Sequence, residues 1–272
     1  MLSDAQWVLL EPLIEICRPK GKTPPQDLRR TLSAILWRHQ NGAKWRAVPE
    51  ELGPWWRAAQ IFMRWARAGV WERLLTLVQE RGVQLGMVFL DGWWPAQIRL
   101  RDPEDTLRHE RAGAPEGSRC STKGGSQAER DHREALGRSR GGYGTKACVM
   151  ADAAGHAIAF RIAPGQAHEL PHAIPLLEQL PGVPKWIVGD RGYTSHSFRE
   201  HVWSMGARPA IQPQRHEAPV ACPEWIYANR NQVERLWAKL KEWRAVATRY
   251  EKTASSFMGI LCLAATFDWL KR

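Results

Sequence analysis

The sequence predicts an α/β fold: a mixed sheet flanked by helices, preceded by a small all-helical N-terminal domain. Three observations predict it. Up to Gly82 the chain shows helical periodicity interrupted by Pro and Gly turns. From Val83 onward, short apolar and β-branched runs appear: MVFLD (87–91), TKACVMAD (145–152), AIAFRIA (157–163) and KWIVGD (185–190). Helical stretches then alternate with these runs, as they do where helices cover a sheet. The expected division is 1–82 for the helical domain and 83–272 for the α/β domain, the latter carrying a long loop around 93–140.

In order, SDAQWVLLEPLIEI (3–16) opens with a Ser or Asp cap and continues as an amphipathic helix until PKGKTPP (19–25) breaks it. QDLRRTLSAILWRHQN (26–41) is a second helix, stopped by Asn41-Gly42, and stretches 55–67 and 70–81 are two more. Short helices, tight turns and a cationic surface suggest a helix-turn-helix-like DNA-binding module. MVFLD is a strand ending in an acid, and the polar, Gly- and Ser-rich segment from Trp93 to about Arg140 reads as loop. Residues 145–163 form a hairpin about AAGH, with Asp152 as a turn residue. AHELPHAIPLLEQL (167–180) is a helix, with His168 and Glu169 marking its start. KWIVGD is a strand, 195–205 a helix, ARPAIQP a strand, and 227–244 and 253–271 the last helices. That succession matches a ribonuclease H-like layout.

Charge narrows the partners. The 272 residues carry 39 Lys and Arg against 28 acids, a formal net charge of +11. This favours a polyanion. Residues 18–73 concentrate the excess, with 12 basic residues and four acidic ones. The longest apolar run, FMGILCLAATF (257–267), is too short for a bilayer and reads as a buried helix, which makes nucleic acid the stronger partner and membrane the weaker. MLSDAQW lacks a basic region followed by an apolar stretch, and the five cysteines are scattered without CxxC spacing. Reduced thiols and a cytoplasmic location are the expectation.

The chemistry centres on carboxylates. Asp91 in MVFLDG and Asp190 in WIVGDRG end apolar strands, where α/β sheets place their sites, and a glycine beside each lets a ligand backbone approach. A third acid comes from the stretch YANRNQVERLWAKLKEWR (227–244). On one helix, Tyr227, Arg230, Glu234 and Lys241 fall at roughly 0°, 300°, 340° and 320°, a single arc at the shoulder of the apolar face formed by Val233, Leu236, Trp237, Leu240 and Trp243. Three oxygen-donor acids suit a hard cation, Mg2+ or Mn2+. Two such ions about 4 Å apart support phosphoryl transfer.

The spacing Y-x2-R-x3-E-x6-K, met by Tyr227, Arg230, Glu234 and Lys241, resembles the signature of DDE transposases from small bacterial insertion sequences. NGAKWRAVPEELGPW (41–55), ALGRSRGGYGTKACVMAD (135–152), VGDRGY (188–193) and RNQVERLWAKLKEWRAVATRYEKTASSF (230–257) resemble blocks of the same family. The resemblance implies a ribonuclease H-like catalytic domain with Asp91, Asp190 and Glu234 as metal-binding acids. The implied reaction is hydrolysis at the ends of the element, followed by attack of the freed 3′-hydroxyl on target DNA. It also implies phosphate contacts from Arg230 and Lys241, a DNA contact from Tyr227, and a homodimer on double-stranded DNA in the nucleoid. GRSRGG (137–142) reads as a phosphate-gripping loop through Arg138 and Arg140. The family places a His about seven residues after the first Asp, whereas Asp91 and His109 are 18 apart. Asp102 has the family distance and Asp105 is near it, so both stand as alternatives to Asp91; neither follows an apolar strand, and Asp102 precedes Pro103. Two other functions fit the same residues: a relic that binds DNA without chelating metal, and a nuclease that cuts without joining.

Overall fold

The computed structural model describes residues 2–20, 27–80, 82–93, 129, 131, 133–139 and 142–271. Helix α1 (Asp4–Cys17) starts at a capping box between Ser3 and Gln6. Helix α2 (Leu28–Asn41) is capped by Asp27 and stopped by Gly42 in the left-handed region. The stretch from Lys44 to Gly53 forms two 3-10 turns, Trp45–Ala47 and Glu50–Leu52, before α3 (Trp55–Arg67) and α4 (Val70–Gln79).

The sheet follows: β1 (Met87–Trp93), β2 (Gly137–Ser139), β3 (Gly142–Ala151), β4 (Ala157–Pro164), β5 (Trp186–Gly189) and β6 (Arg208–Ile211). Between them lie α5 (Leu170–Leu177) and α6 (His196–Ser204), and after them α7 (Glu224–Tyr227), α8 (Asn231–Lys241), α9 (Arg244–Thr248) and α10 (Ala254–Leu270). The strands run β4-β3-β1-β5-β6, with β2 also on β3. β1 is antiparallel to β3 and parallel to β5, and β5 is parallel to β6. This is the ribonuclease H-like arrangement. The expected loop 93–140 ends early at both sides: β1 continues to Trp93, and Gly137–Ser139 pair with Gly142–Gly144.

Alternation along the strands gives the sheet two buried faces. Phe89, Val149 and Val188 face a core shared with α8, α10 and the N-terminal helices. Val88, Leu90, Met150 and Ile187 face α5, Tyr193 and α6. Helix α10 is apolar around most of its circumference because α3, α4, α8 and β4 all pack against it. No helix among the described residues is long and apolar enough to cross a membrane. A buried ion pair between Arg38 of α2 and Glu251 ties the N-terminal helices to the segment entering α10.

Gly259 in α10 tests how tightly these helices fit. A Cβ there would stand 2.6 Å from Cδ1 of Trp71, which is fully buried. Helix propensity alone predicts that Gly259→Ala stabilises by about 1 kcal/mol. Overpacking against the fixed indole reverses the sign, and urea unfolding should show a loss of about 1–3 kcal/mol.

Candidate active site

The register of β1 and β5 sets two acids side by side. Their parallel pairing ends at Leu90 opposite Gly189, and the next residues are Asp91 and Asp190. Asp91 stays in the sheet, opposite Val149 of β3. Asp190 leaves it, and its Oδ1 accepts a hydrogen bond from the Gly192 amide at 2.7 Å to start the turn Arg191–Tyr193. Strand alternation gives Asp91 the orientation of Phe89, toward the face that α8 covers.

The third predicted acid reaches Asp91 through an arginine. Arg230 lies 3.4 Å from Asp91 Oδ1 through Nη1 and 2.5 Å from Glu234 Oε1 through Nη2, so one guanidinium bridges strand and helix. Glu234 is the most open of this group, its side chain 56% exposed against 14% for Asp91. The backbone does not follow a single helix over 227–244. It tightens to a 3-10 turn at Ala228–Arg230, and Trp243 is extended, which ends the helical run before α9. Apolar residues of α8 are buried as their phase requires: Val233, Leu236, Trp237 and Leu240. Lys241 sits 4.6 Å from the centre of the Trp93 ring; burial lowers its basicity while the charge of Asp91 opposes that. The Tyr227 hydroxyl is made less acidic by burial, with Arg230 opposing and Asp190 reinforcing.

A fourth carboxylate joins from the opposite face. Glu169 precedes α5, as its reading as a helix start requires, but it makes no side-chain cap there. Its Oε1 takes an ion pair from Lys146 at 3.2 Å, and its Oε2 is buried without a hydrogen-bond partner. A Cβ on Gly92 would lie 2.4 Å from Glu169 Cδ. A Cβ on Gly192 would lie 2.9 Å from Asp190 Oδ1 and 3.5 Å from Glu169 Oε2. The glycines beside the two aspartates thus admit a carboxylate of the protein itself, not only an approaching ligand backbone. The available signal was the pair of glycines; nothing in the sequence named the side chain that fills them.

These like charges shape each other. Burial first, and then the charges of Asp190 and Glu169 against the opposing Arg230, push the Asp91 carboxyl from 3.8 to about 7. The Tyr193 hydroxyl, fully buried and without a partner, is suppressed in the same way: by burial, then by Cys148, Glu169, Asp91 and Asp190. An oxygen-only donor set with an orphaned carboxylate oxygen suits a hard divalent cation. Among the described residues no three His, Cys, Asp or Glu side chains already stand together at coordinating distance. Arg230 supplies the positive charge between Asp91 and Glu234 in this structure.

The remaining predicted residues are dispersed. Arg138 is exposed on β2, so the first three residues of GRSRGG are strand. Arg140, Asp102, Asp105 and His109 lie outside the described residues. Asp152 closes the β3–β4 turn, accepting from the amides of Ala154, His156 and Gln84.

Asp91 should weaken the fold it sits in. Because its folded-state carboxyl titrates higher than 3.8, the folded chain holds more protons than the unfolded chain between about pH 4 and 7. Its contribution is therefore lost as pH rises through that window. Asp91→Asn should raise stability by roughly 1–3 kcal/mol at pH 8 and by less at pH 5, measured by urea unfolding without added metal.

Comparison with known proteins identifies the family. Residues 2–75 match the family described as transposase of IS4/5 family (DUF4096), and residues 187–271 match the transposase DDE domain. The protein described as the transposase for insertion sequence element IS6501 of Brucella ovis is 33% identical over 131 residues, 47% of this chain and 98% of that relative. The one described for IS402 of Burkholderia cepacia is 24% identical over 144 residues, 47% of this chain and 65% of that relative. Among solved structures, the piggyBac transposase synaptic complex with hairpin DNA aligns over 100% of this chain and 66% of its own, with a TM-score of 0.43 and 10% identity. The Mos1 transposase paired-end complex aligns over 93% and 80%, with a TM-score of 0.28 and 13% identity. With a relative 33% identical and matched over nearly its whole length, the chain belongs to the insertion-sequence transposases.

Proposed function

We propose that this transposase cuts the ends of its insertion sequence and joins the freed 3′-hydroxyl to target DNA, with Asp91, Asp190 and Glu234 as its catalytic acids and Mg2+ (or Mn2+) as its cofactor. The observation that carries this reading is the single guanidinium of Arg230 spanning Asp91 and Glu234 beside Asp190. Asp91 and Glu234, distant in sequence, are bridged at the end of the sheet where Asp190 follows the neighbouring strand.

When bound, the divalent ion supplies Lewis-acid stabilisation of the charge on the attacking and leaving oxygens. The chain's own residues hold and orient. In cutting, water adds to phosphorus, the P–O3′ bond breaks and O3′ leaves as a hydroxyl. In joining, that hydroxyl attacks a target phosphorus and the target's O3′ leaves. Arg230 has the fork geometry to take a phosphate once it releases a carboxylate, and Lys241 adds a point charge steadied by Trp93. Tyr227, Arg138 and Arg140 are further DNA contacts in this reading, Arg138 being exposed on β2. The N-terminal residues 1–82, with Arg64 and Arg67 exposed on α3, act as the DNA-binding domain, and residues 83–272 as the catalytic one. Two copies working on a pair of ends complete the proposal.

Labelled element ends incubated with the full chain and Mg2+ test it. Joined products are the expected result. Cut ends alone favour a nuclease, and binding without cutting favours a relic. Asp190→Asn should lower cutting by more than about 100-fold, beyond the cost of losing an outer-shell partner. DNA affinity in the same variant should stay within about twofold; undiminished cutting would remove Asp190 from the mechanism.

A further inference from the structure

Glu169 is placed in a way that an ordinary structural ion pair does not explain. Lys146 engages only Oε1, while Oε2 is buried and unpartnered, and the side chain is 17% exposed. Repulsion from neighbouring acids weakens a structural pair, yet this one is set among them. Gly92 leaves the space that the Glu169 carboxyl carbon occupies, 2.4 Å from where a Cβ would stand. Gly192 leaves a gap bordered by both Asp190 Oδ1 and Glu169 Oε2. The fully buried Tyr193 hydroxyl nearby is likewise without a partner. Unpaired buried polar atoms at one point in a fold call for a missing partner, and next to a carboxylate set that partner is a cation.

We infer that Glu169 is a fourth carboxylate of the divalent-cation site, entering from the sheet face opposite Arg230 and Glu234 and offering Oε2 as its ligand atom. This rests on the proposed function, since it assumes that Asp91 and Asp190 hold the same cation. Asp91 and Asp190 then form the floor of the site, with Glu234 closing it from one face and Glu169 from the other. Lys146 acts as the positioning residue that fixes the Glu169 carboxylate by its other oxygen.

The test is Mn2+ titration of the full chain without DNA, with free Mn2+ read by electron paramagnetic resonance and thermal melting as a check on folding. Glu169→Gln should weaken Mn2+ binding by about 10-fold or more, and Glu169→Asp should recover part of it. Lys146→Met removes the positioning contact but keeps the acid, so it should weaken Mn2+ binding measurably but by less than Glu169→Gln does; a purely structural pair predicts that both single variants lower the melting temperature alike and leave Mn2+ affinity unmoved. Gly92→Ala should reproduce the Glu169→Gln loss by displacing the carboxylate. If Glu169→Gln fails to fold, Glu169→Gln with Lys146→Met removes both charges together and carries the same expectation. Wild-type affinity in the Glu169 variants, with affinity lost in Asp190→Asn, overturns this inference and leaves the proposed function standing. Unchanged affinity in Asp190→Asn as well, or no Mn2+ binding by the wild type, overturns both.

Discussion

The parallel register between β1 and β5 is the constraint on which the rest depends. Hydrogen bonding brings Leu90 opposite Gly189, and the backbone then has no choice but to present Asp91 and Asp190 next to each other where the pairing stops. Two carboxylates held this way repel, and burial removes the water that would screen them. The fold holds them by backbone bonds and by apolar residues on both faces of β1, forces that do not weaken when the acids ionise.

The cations around the site follow from that repulsion. Arg230 faces the acids from α8, and Lys146 engages Glu169 on β3. Both are inside the protein's own charge balance, so a phosphate or metal ion entering the site would compete with or replace contacts already made. Raising the Asp91 carboxyl to about 7 is the residual imbalance. Sites of this kind combine strained electrostatics with function, and the surrounding core supplies the stability they cost.

That core is continuous between the helical N-terminal part and the sheet because α10 is shared. The helix contacts α3, α4 and β4, with α8 also packed against it. The ion pair of Arg38 with Glu251 and the fully buried His39, packed against Phe62 and Trp45, knit α2 into the same region. Burial and the Arg38 charge hold His39 well below its ordinary range, so it stays neutral. The helical N-terminal part is thus mechanically tied to the helix that backs the sheet.

Much of this was legible in the sequence. Periodicity marked α1 to α4, α8 and the enclosed α10, and short apolar runs marked β1, β3, β4 and β5, because each pattern reports one element's own buried face. Strand-end acids and the four-residue signature pointed to one site, since a fixed spacing on a helix is a local property. What no local pattern contains is which faces meet. The contact of Arg230 with Asp91, 139 residues away in the chain, follows from which faces pack together and not from any local pattern. Glu169 shows the limit most directly: 77 residues from Gly92 by the numbering, it looked like the first residue of a helix, and only the sheet's geometry brought its carboxylate onto that glycine. The chain by itself determined its elements and its acids; the tertiary structure alone decided their company, because contact between two faces depends on both surfaces at once.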